Sequence, residues 1–493
     1  MKLTPLKFGL IVAALAAIAA TGWYGANALL AKKPVVVPAP ELAPSAQPQK
    51  ISAPVVKFND VTHKAGINFR HSNGAFGMKL LPETMGSGVA IFDFDNDGKP
   101  DILFINSRHW PGEISGEPEP TMKLYRNQGD GTFEDVTEKM GLNVPLYGMG
   151  VTIGDFDNDG WTDIFITAIG GNKLFRNDGG KRFIDVTAEA GVGGGGFWPH
   201  LSRADFLKLD RPMAWPTAAT FVDFDGDGKL DLFVCHYVNW SPAYDLANEF
   251  RLSGVGRAYG PPMAFEGTQC TLYRNIDGKH FEDVTEKVGL KVVEPDGRGP
   301  NSRLHNVAKS LGLIIFDPDE SGWPSLMVAN DTERNFFFHN VPAPNGMRRF
   351  EEIGRRSGVA FAGFAEGRAR GGMGIDWGEL RPGNWSAVIA NFSNEPCTFL
   401  SQERPRGLLF SDAALAVGLS GPSRNPLKFG TFFFDYDNDG RLDLLVNNGH
   451  LEPEIQRVFQ NQTYAQAPQL YWNTGQKSGC FEPVTEKGAG SDL

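Results

Sequence analysis

DFDNDGKPD, at residues 93–101, is the stretch around which the rest of the sequence is organised. It recurs as DFDNDGWTD at 155–163, DFDGDGKLD at 223–231 and DYDNDGRLD at 435–443, and a weaker copy, DPDESGWPS, occupies 317–325. Each strong copy lies between two short apolar segments rich in β-branched and aromatic residues, which predicts a loop joining two strands. Tandem copies of this kind indicate a repeat architecture.

A second signature, F-x-D-V-T followed by a short turn to Gly, alternates with the Asp loops. An aromatic segment such as KLYRNQGDG, ending at Asn and a Gly-rich turn, lies between each loop and the next F-x-D-V-T. Each period therefore predicts four short strands. The copies of the signature begin at Phe58, Phe133, Phe183 and Phe281, with looser copies at Phe350, Phe410 and Phe481.

A chain of 493 residues exceeds the size of a single ordinary core, so it must form either several domains or one domain built from repeats. Four-stranded units in tandem predict an all-β fold, a β-propeller with four-stranded blades, and a β-solenoid is the alternative. Six full repeats run from about Gly86 to Gly488. Strands within residues 55–85 are expected to join or start another blade, giving six or seven blades, and to pack against the last repeat around Leu470 to Thr485.

The Asp loops carry the strongest chemical signal. Carboxylates at positions 1, 3, 5 and 9, with the backbone carbonyl of position 7, form an all-oxygen cage that suits Ca²⁺, and Gly at position 6 permits the sharp turn. We expect about four calcium ions. The predicted ligands are Asp93, Asp95, Asp97, Lys99 and Asp101; Asp155, Asp157, Asp159, Trp161 and Asp163; Asp223, Asp225, Asp227, Lys229 and Asp231; and Asp435, Asp437, Asp439, Arg441 and Asp443.

The alternative is that Asp, Asn and Gly only build tight turns. Four copies that all keep Asp at position 9 argue against it, because turn chemistry alone does not require that residue. The loop at 317–325 retains Asp317 and Asp319 but has Ser321 and Ser325, so weak or no binding is expected there. The fifth repeat, DWGELRPGN from Asp376, has lost the pattern.

The N-terminus predicts export. Residues 1–33 contain an uncharged apolar run from Phe8 to Ala31 between lysines, which indicates either a signal anchor or a cleaved signal peptide. Residues 34–54 form a Pro-rich linker, and 55–493 are the propeller. The expected location is the periplasmic face of the inner membrane if the helix is retained, or secreted or periplasmic if it is cleaved.

The four cysteines, Cys235, Cys270, Cys397 and Cys480, form no C-x-x-C pair. In an oxidising compartment they are expected either to form disulfides, with Cys235 and Cys270 the favoured pair beside an insertion near 241–268, or to remain buried thiols.

Charge and motifs favour a binding module over an enzyme. The formal net charge of -11 disfavours nucleic acid as a partner. No nucleophile elbow, zinc helix or phosphate-binding loop occurs. His450 in NNGH is expected either to cap its own turn or to contribute to a ligand site. An enzyme or redox subunit with a site in the propeller channel is the alternative function.

Several stretches resemble a known family: LPETMGSGVAIFDFDNDG, YVNWS at 237–241, the LYRN segments with FEDVT, and NNGH at 447–450. They are similar to the FG-GAP or VCBS repeats of integrin alpha-chain propellers, and more closely to bacterial relatives of cartilage acidic protein. The resemblance implies calcium-binding loops and a role in adhesion, scaffolding or protein interaction. We expect a membrane-associated protein partner within a larger complex.

Overall fold

The computed structural model describes residues 52–113, 116–295, 302–344, 346–361 and 368–489. Residues Ala53–Leu493 form one compact unit. The predicted signal or anchor at 1–33, and nearly all of the predicted linker at 34–54, lie outside the described residues. Within the described part, no helix has the length and apolar character needed to span a membrane.

Six four-stranded antiparallel sheets form the blades, and in each the strands follow one another outward in chain order. Blade 1 comprises β1 (Val89–Phe92), β2 (Asp101–Phe104), β3 (Lys123–Asn127) and β4 (Phe133–Asp135). Blade 2 comprises β5 (Tyr147–Gly154), β6 (Asp163–Ile169), β7 (Lys173–Asn177) and β8 (Phe183–Asp185). Blade 3 comprises β9 (Pro216–Val222) and β10 (Asp231–His236), then, after the hairpin of β11 (Arg251–Leu252) and β12 (Gly256–Arg257), β13 (Thr271–Asn275) and β14 (Phe281–Asp283).

A second hairpin, β15 (Val293–Pro295) with β16 (Leu304–Asn306), precedes blade 4. Blade 4 comprises β17 (Ser310–Phe316), β18 (Ser325–Asn330), β19 (Phe336–Pro342) and β20 (Arg348–Glu352). Blade 5 comprises β21 (Gly372–Arg381), β22 (Asn384–Asn391), β23 (Thr398–Gln402) and β24 (Phe410–Asp412). Blade 6 comprises β25 (Lys428–Phe434), β26 (Asp443–Asn448), β27 (Gln469–Asn473) and β28 (Phe481–Pro483).

The second strand of each blade explains the apolar runs that follow the Asp loops. Every residue of β6, β10 and β18 is buried, because adjacent blades cover both faces of the sheet at this depth. The innermost strands surround a central channel. All six contribute to its wall, through Val89, Val151, Ala219, Leu311, Gly374 and Phe429. The predicted all-β propeller of four-stranded blades is confirmed, with six blades.

The described helices are short, and none exceeds six residues. The α-helices are Thr187–Ala190, Arg203–Phe206, Pro242–Ala247, Gly354–Ser357 and Glu486–Ala489, and the 3₁₀ helices are Leu81–Thr84, Pro262–Ala264 and Ile455–Arg457.

The F-x-D-V-T turns join neighbouring blades. The N–H of Phe183 in blade 2 donates to the carbonyl of Met140 in the preceding turn (2.8 Å), and Phe350 of blade 4 and Phe481 of blade 6 make the same bond to Val288 and Val417. Gly141, which ends the turn after Phe133, has φ +76°. A Cβ there would lie 3.1 Å from the carbonyl oxygen of Phe183, so both the backbone conformation and the close approach favour glycine.

The first F-x-D-V-T copy closes the ring without forming a strand. The N–H of Phe58 donates to the carbonyl of Ala489 at the chain's last described helix, and the N–H of Phe133 donates to the carbonyl of Ala65 (both 2.8 Å). Residues 55–62 therefore act as one more inter-blade turn between blades 6 and 1. The expectation of N-terminal strands was wrong, because β28 already fills the outer position of blade 6.

Apolar contacts support this closure. Val56 and Phe58 pack with Leu470 and Trp472 in one cluster. Tyr436 adds a hydrogen bond from its hydroxyl to the carbonyl of Pro54 (3.3 Å). The predicted packing of the N-terminal segment against the last repeat is confirmed at these residues.

The four cysteines are free, buried thiols. The sequence left open disulfides or buried thiols, and the structure has buried thiols. Cys235 and Cys270 nevertheless lie together, since their side chains form a hydrogen bond, and burial raises the pKa of the Cys235 thiol.

Candidate metal centres at the Asp loops

The first aspartate of each loop holds the turn in shape. In the first loop, Asp93 accepts the N–H of Asp97 on Oδ1 (3.0 Å) and the N–H of Gly98 on Oδ2 (2.7 Å). Gly98 has φ +84°, a conformation that favours glycine, which accounts for the residue at position 6. The same pair of bonds is made by Asp155, Asp223 and Asp435.

The aspartate at position 9 of each loop joins three parts of its blade. Asp163, the first residue of β6, accepts the N–H of Phe156 in its own loop (3.1 Å) and the N–H of Asn177 at the end of β7 (2.7 Å). Asp101, Asp231 and Asp443 do the same. This aspartate thus has a structural role beside metal binding, one that the sequence argument from position 9 did not include.

Burial raises the pKa of these ninth-position carboxyls. The pKa reaches about 8 for Asp163, about 7 for Asp231 and about 6 for Asp443, and it is also raised for Asp101. A cation bound beside such a group favours the charged carboxylate and opposes this effect of burial.

Three carboxylates converge in each of the four strong loops. In every set, one oxygen from each residue lies within 4.8 Å of the others. Three sets combine positions 1, 3 and 9, and the loop at 223–231 combines positions 1, 3 and 5. The sets are Asp93, Asp95 and Asp101; Asp155, Asp157 and Asp163; Asp223, Asp225 and Asp227; and Asp435, Asp437 and Asp443.

The remaining predicted ligands lie outside these sets. They are the fifth-position Asp97, Asp159 and Asp439, the ninth-position Asp231, and the seventh-position residues Lys99, Trp161, Lys229 and Arg441. Their metal contacts stay predictions.

The aspartate at position 3 of each strong loop shows that a cation fits. Asp95, Asp157, Asp225 and Asp437 each have one buried carboxylate oxygen with no hydrogen-bond partner among the described residues. A buried, unpaired carboxylate oxygen is costly, and a cation held by oxygen ligands removes that cost. An all-oxygen, all-carboxylate set suits Ca²⁺ better than a transition metal.

An arginine from the third strand partly neutralises two of the loops. Arg126 donates from Nε to Asp95 Oδ2 (2.6 Å), and a second guanidinium nitrogen lies 3.0 Å from Asp97. Arg274 makes the corresponding contacts with Asp225 and Asp227. Sequence reasoning missed this role, although the Arg of the LYRN segment was a visible signal.

The asparagine at the end of the third strand ties three of the loops to the next blade. Asn177 of blade 2 donates from Nδ2 to the carbonyl of Phe94 in the loop of blade 1 (2.8 Å). Asn275 of blade 3 donates to Phe156 in the loop of blade 2 (2.8 Å), and Asn340 of blade 4 donates to the loop of blade 3. The Asp loops of blades 1 to 3 therefore lie at joints between blades, where an ion would stabilise the ring as well as one hairpin.

The weaker loops differ in ways that disfavour a cation. In the fourth loop, Asp319 also has an unpaired buried oxygen, but serines stand at positions 5 and 9. His339 occupies the position that Arg126 and Arg274 have in their blades, and its Nε2 lies 3.7 Å from Asp319 Oδ2. In the fifth repeat, Asp376 lies inside β21 and accepts the N–H of Phe433 (2.7 Å), so no Asp loop begins there.

His450 caps its own turn. Its Nδ1 accepts the N–H of Glu452 (3.0 Å), which is the first of the two expectations for this residue. His450 also lines a cavity on the face of the ring opposite the Asp loops.

Comparison with known families finds the FG-GAP-like repeat at residues 93–166 and 155–234. The chain is 31% identical over 152 residues to cartilage acidic protein 1 from Xenopus tropicalis and 31% identical over 155 residues to the same protein from Homo sapiens. Each match covers 31% of this chain and 21% of the relative, so it spans about a fifth of those proteins.

Among solved structures, the chain is similar to an Agrocybe aegerita lectin described as recognising non-reducing terminal N-acetylglucosamine. The sequence identity is 15%, the coverage is 82% of this chain and 80% of that one, and the TM-score is 0.41.

Proposed function

Because the chain is a six-bladed β-propeller that carries FG-GAP-like repeats, we propose that it is an exported calcium-binding module for protein interaction, adhesion or scaffolding. It acts through binding and not through catalysis. Its partner is a protein, membrane-associated and held in a larger complex.

The observation that carries the calcium assignment is the repeated set of three converging carboxylates, with an unpaired buried oxygen on the aspartate at position 3. Four loops share it. Each site offers only oxygen ligands, which suits the coordination of Ca²⁺. In blades 1 to 3 the ions would also hold adjacent blades together, because these loops accept the asparagine bonds from the next blade.

The interaction role is supported by the repeat and by the similarity to cartilage acidic protein 1. Catalysis is disfavoured because the sequence has no nucleophile elbow, zinc helix or phosphate-binding loop. Export is supported by the apolar run at 8–31 and the Pro-rich residues 34–54. We place the body on the periplasmic side of the inner membrane, or free in the periplasm or medium after cleavage.

Topology and partner binding have separate tests. Protease added to spheroplasts should digest the body, and protection would contradict export. Affinity purification from native membranes in calcium should recover the same protein partner repeatedly. A variant with Asp95, Asp157, Asp225 and Asp437 all changed to Asn should lose it, whereas recovery of no partner, or equal recovery by the variant, would contradict a calcium-dependent interaction module.

A further inference from the structure

Three segments that the repeat does not require meet on the face opposite the Asp loops. They are residues 67–86 before the first blade, the insertion 241–268 in blade 3, and residues 449–466 in blade 6. The six blades are complete without them. Loops added to a regular scaffold are where binding residues concentrate in many proteins.

Polar contacts fix these three segments to one another. The Nε of Arg257, in the insertion, donates to the carbonyl of Met78 in the first segment (2.6 Å). Lys79, the next residue, forms an ion pair with Glu452 of the third segment. The three segments thus form a connected wall around the mouth of the channel.

Two cavities open within this wall. The larger, about 1110 Å³, occupies the channel, and the smaller is about 590 Å³. They are continuous, since both are lined by Asn73, Glu83, Thr84, Phe429 and Tyr464. Together they are large enough for a small organic ligand.

Glu83 and His71 are the buried polar groups that a ligand would meet. Glu83 lines both cavities although only 4% of it is exposed. Its Oε2 accepts the hydroxyl of Tyr259 (3.4 Å), whereas its Oε1 makes no hydrogen bond of normal geometry among the described residues, although the Trp110 indole and the Leu80 backbone interact with the carboxyl and partly offset the rise in its pKa that burial causes. His71, on the wall of the larger cavity, has a buried nitrogen, Nε2, with no hydrogen-bond partner among the described residues. A ligand hydroxyl in the cavity would give both side chains a well-formed hydrogen bond.

The wall carries little net charge. Of the fully charged side chains lining the larger cavity, Arg70 and Glu117 have opposite signs. Burial raises the pKa of Glu83 to about 8, so its carboxyl is mainly protonated at neutral pH and can donate as well as accept. Burial also lowers the pKa of His71 and His450, which keeps both rings neutral. A neutral ligand therefore fits better than an ion.

The same cavities offer an apolar surface. Tyr464 lines both and is 52% exposed, although large aromatic side chains are mostly buried in this ring. Phe429 lies on the same wall. An aromatic face beside unpaired hydrogen-bonding groups suits a molecule with one apolar face and several hydroxyls.

We propose that the joined cavities bind an uncharged, hydroxyl-rich small molecule of the size of a mono- or disaccharide. Glu83 and His71 form hydrogen bonds with its hydroxyl groups, and Tyr464 packs against its apolar face. This site is separate from the Asp loops, so it can fail while the calcium proposal stands.

The test measures binding of glucose, galactose, mannose, maltose and cellobiose to the full chain in calcium. Saturation-transfer NMR detects binding, and calorimetry gives the affinity. Choline and citrate are the charged counter-probes. At least one sugar should bind, and Tyr464→Ala should weaken it about tenfold, the effect expected for one lost contact. Tyr244→Ala is the matched control, because Tyr244 is also exposed (49%) but lines neither cavity.

Two substitutions at Glu83 separate a neutral from a charged ligand. Glu83→Gln keeps a donor and an acceptor without charge, so sugar affinity should change by less than about threefold, whereas Glu83→Ala should lose about tenfold. The proposal is overturned if no sugar binds, if choline or citrate binds instead, or if Glu83→Gln loses as much as Glu83→Ala. Tyr464 is exposed, so an unaffected Tyr464→Ala variant overturns it even if the Glu83 variants do not fold.

Discussion

Replacing Asp157 by Asn is expected to change the stability of the propeller in opposite directions with and without calcium. Asn keeps the shape of the side chain but removes one of three carboxylates whose oxygens lie within 4.8 Å of one another. In calcium the variant loses the stabilisation that one bound ion gives. In chelator it loses only a repulsive neighbour of Asp155.

The expected magnitudes follow from binding linkage and Coulomb's law. At a calcium concentration of about 100 times Kd, one site contributes about 2.7 kcal/mol. For a compact unit of about 440 residues, with an unfolding entropy of about 0.9 kcal/mol per degree, this lowers Tm by about 3 °C. In chelator, removing one of two charges that lie no more than 4.8 Å apart relieves about 3.5 kcal/mol at an effective dielectric constant of about 20, and less in salt.

Thermal denaturation with saturating calcium and with EGTA measures both effects. Asp319→Asn is the matched control, because it removes the same position from the loop with serines at positions 5 and 9, and its calcium-induced shift in Tm should equal that of the unmodified protein. If Asp157→Asn retains the full calcium-induced shift, or is destabilised equally in EGTA, the carboxylate set is not a calcium site.

Three further results are expected. Gly289→Ala should lower the unfolding free energy in urea by about 2 kcal/mol, since φ is +81° and a Cβ would lie 2.7 Å from the carbonyl oxygen of Phe350; an unchanged midpoint would contradict the inter-blade joint. Removal of residues 1–66 should cause self-association in sedimentation experiments, whereas removal of 1–52 should not, because only the first breaks the closure; equal behaviour of the two would refute it. Glu83→Gln should alter the pH dependence of stability. The folded pKa of about 8 lies above the ordinary glutamate pKa of about 4.5, so Glu83 costs the native protein up to about 5 kcal/mol as the pH rises from about 4.5 through 8, and Gln removes that loss. Parallel urea-unfolding profiles from pH 5 to 9 would show that the carboxyl is not protonated.

The sequence predicted the features that depend on local chemistry. The four Asp loops and the order of strands within a blade both follow from residues close together in the chain. The position of the first F-x-D-V-T copy was harder to predict. Phe58 resembles the start of a strand in sequence, but it bonds to Ala489 after the last blade, and Ala65 of the same turn accepts the N–H of Phe133 in the first blade.

The parts of the sites that the sequence did not predict depend on contacts between residues far apart in the chain. Arg126 and Arg274 reach the loops from a strand about 30 to 50 residues away, and Asn177 reaches the loop of another blade. Glu83 belongs to an apolar-looking LPET segment, and its role depends on an insertion more than 150 residues later. A pattern that repeats every blade reveals the shared chemistry, whereas a site built from three unique segments has no such repetition.

Calcium stoichiometry tests the central claim most directly. The purified protein, freed of metal with chelator and dialysed, should be titrated with calcium by calorimetry, and the bound metal should then be counted by elemental analysis. Four ions per chain are expected, one for each set of three converging carboxylates, with affinities in the range from micromolar to millimolar. A count of zero or one would contradict the account of the Asp loops as calcium sites.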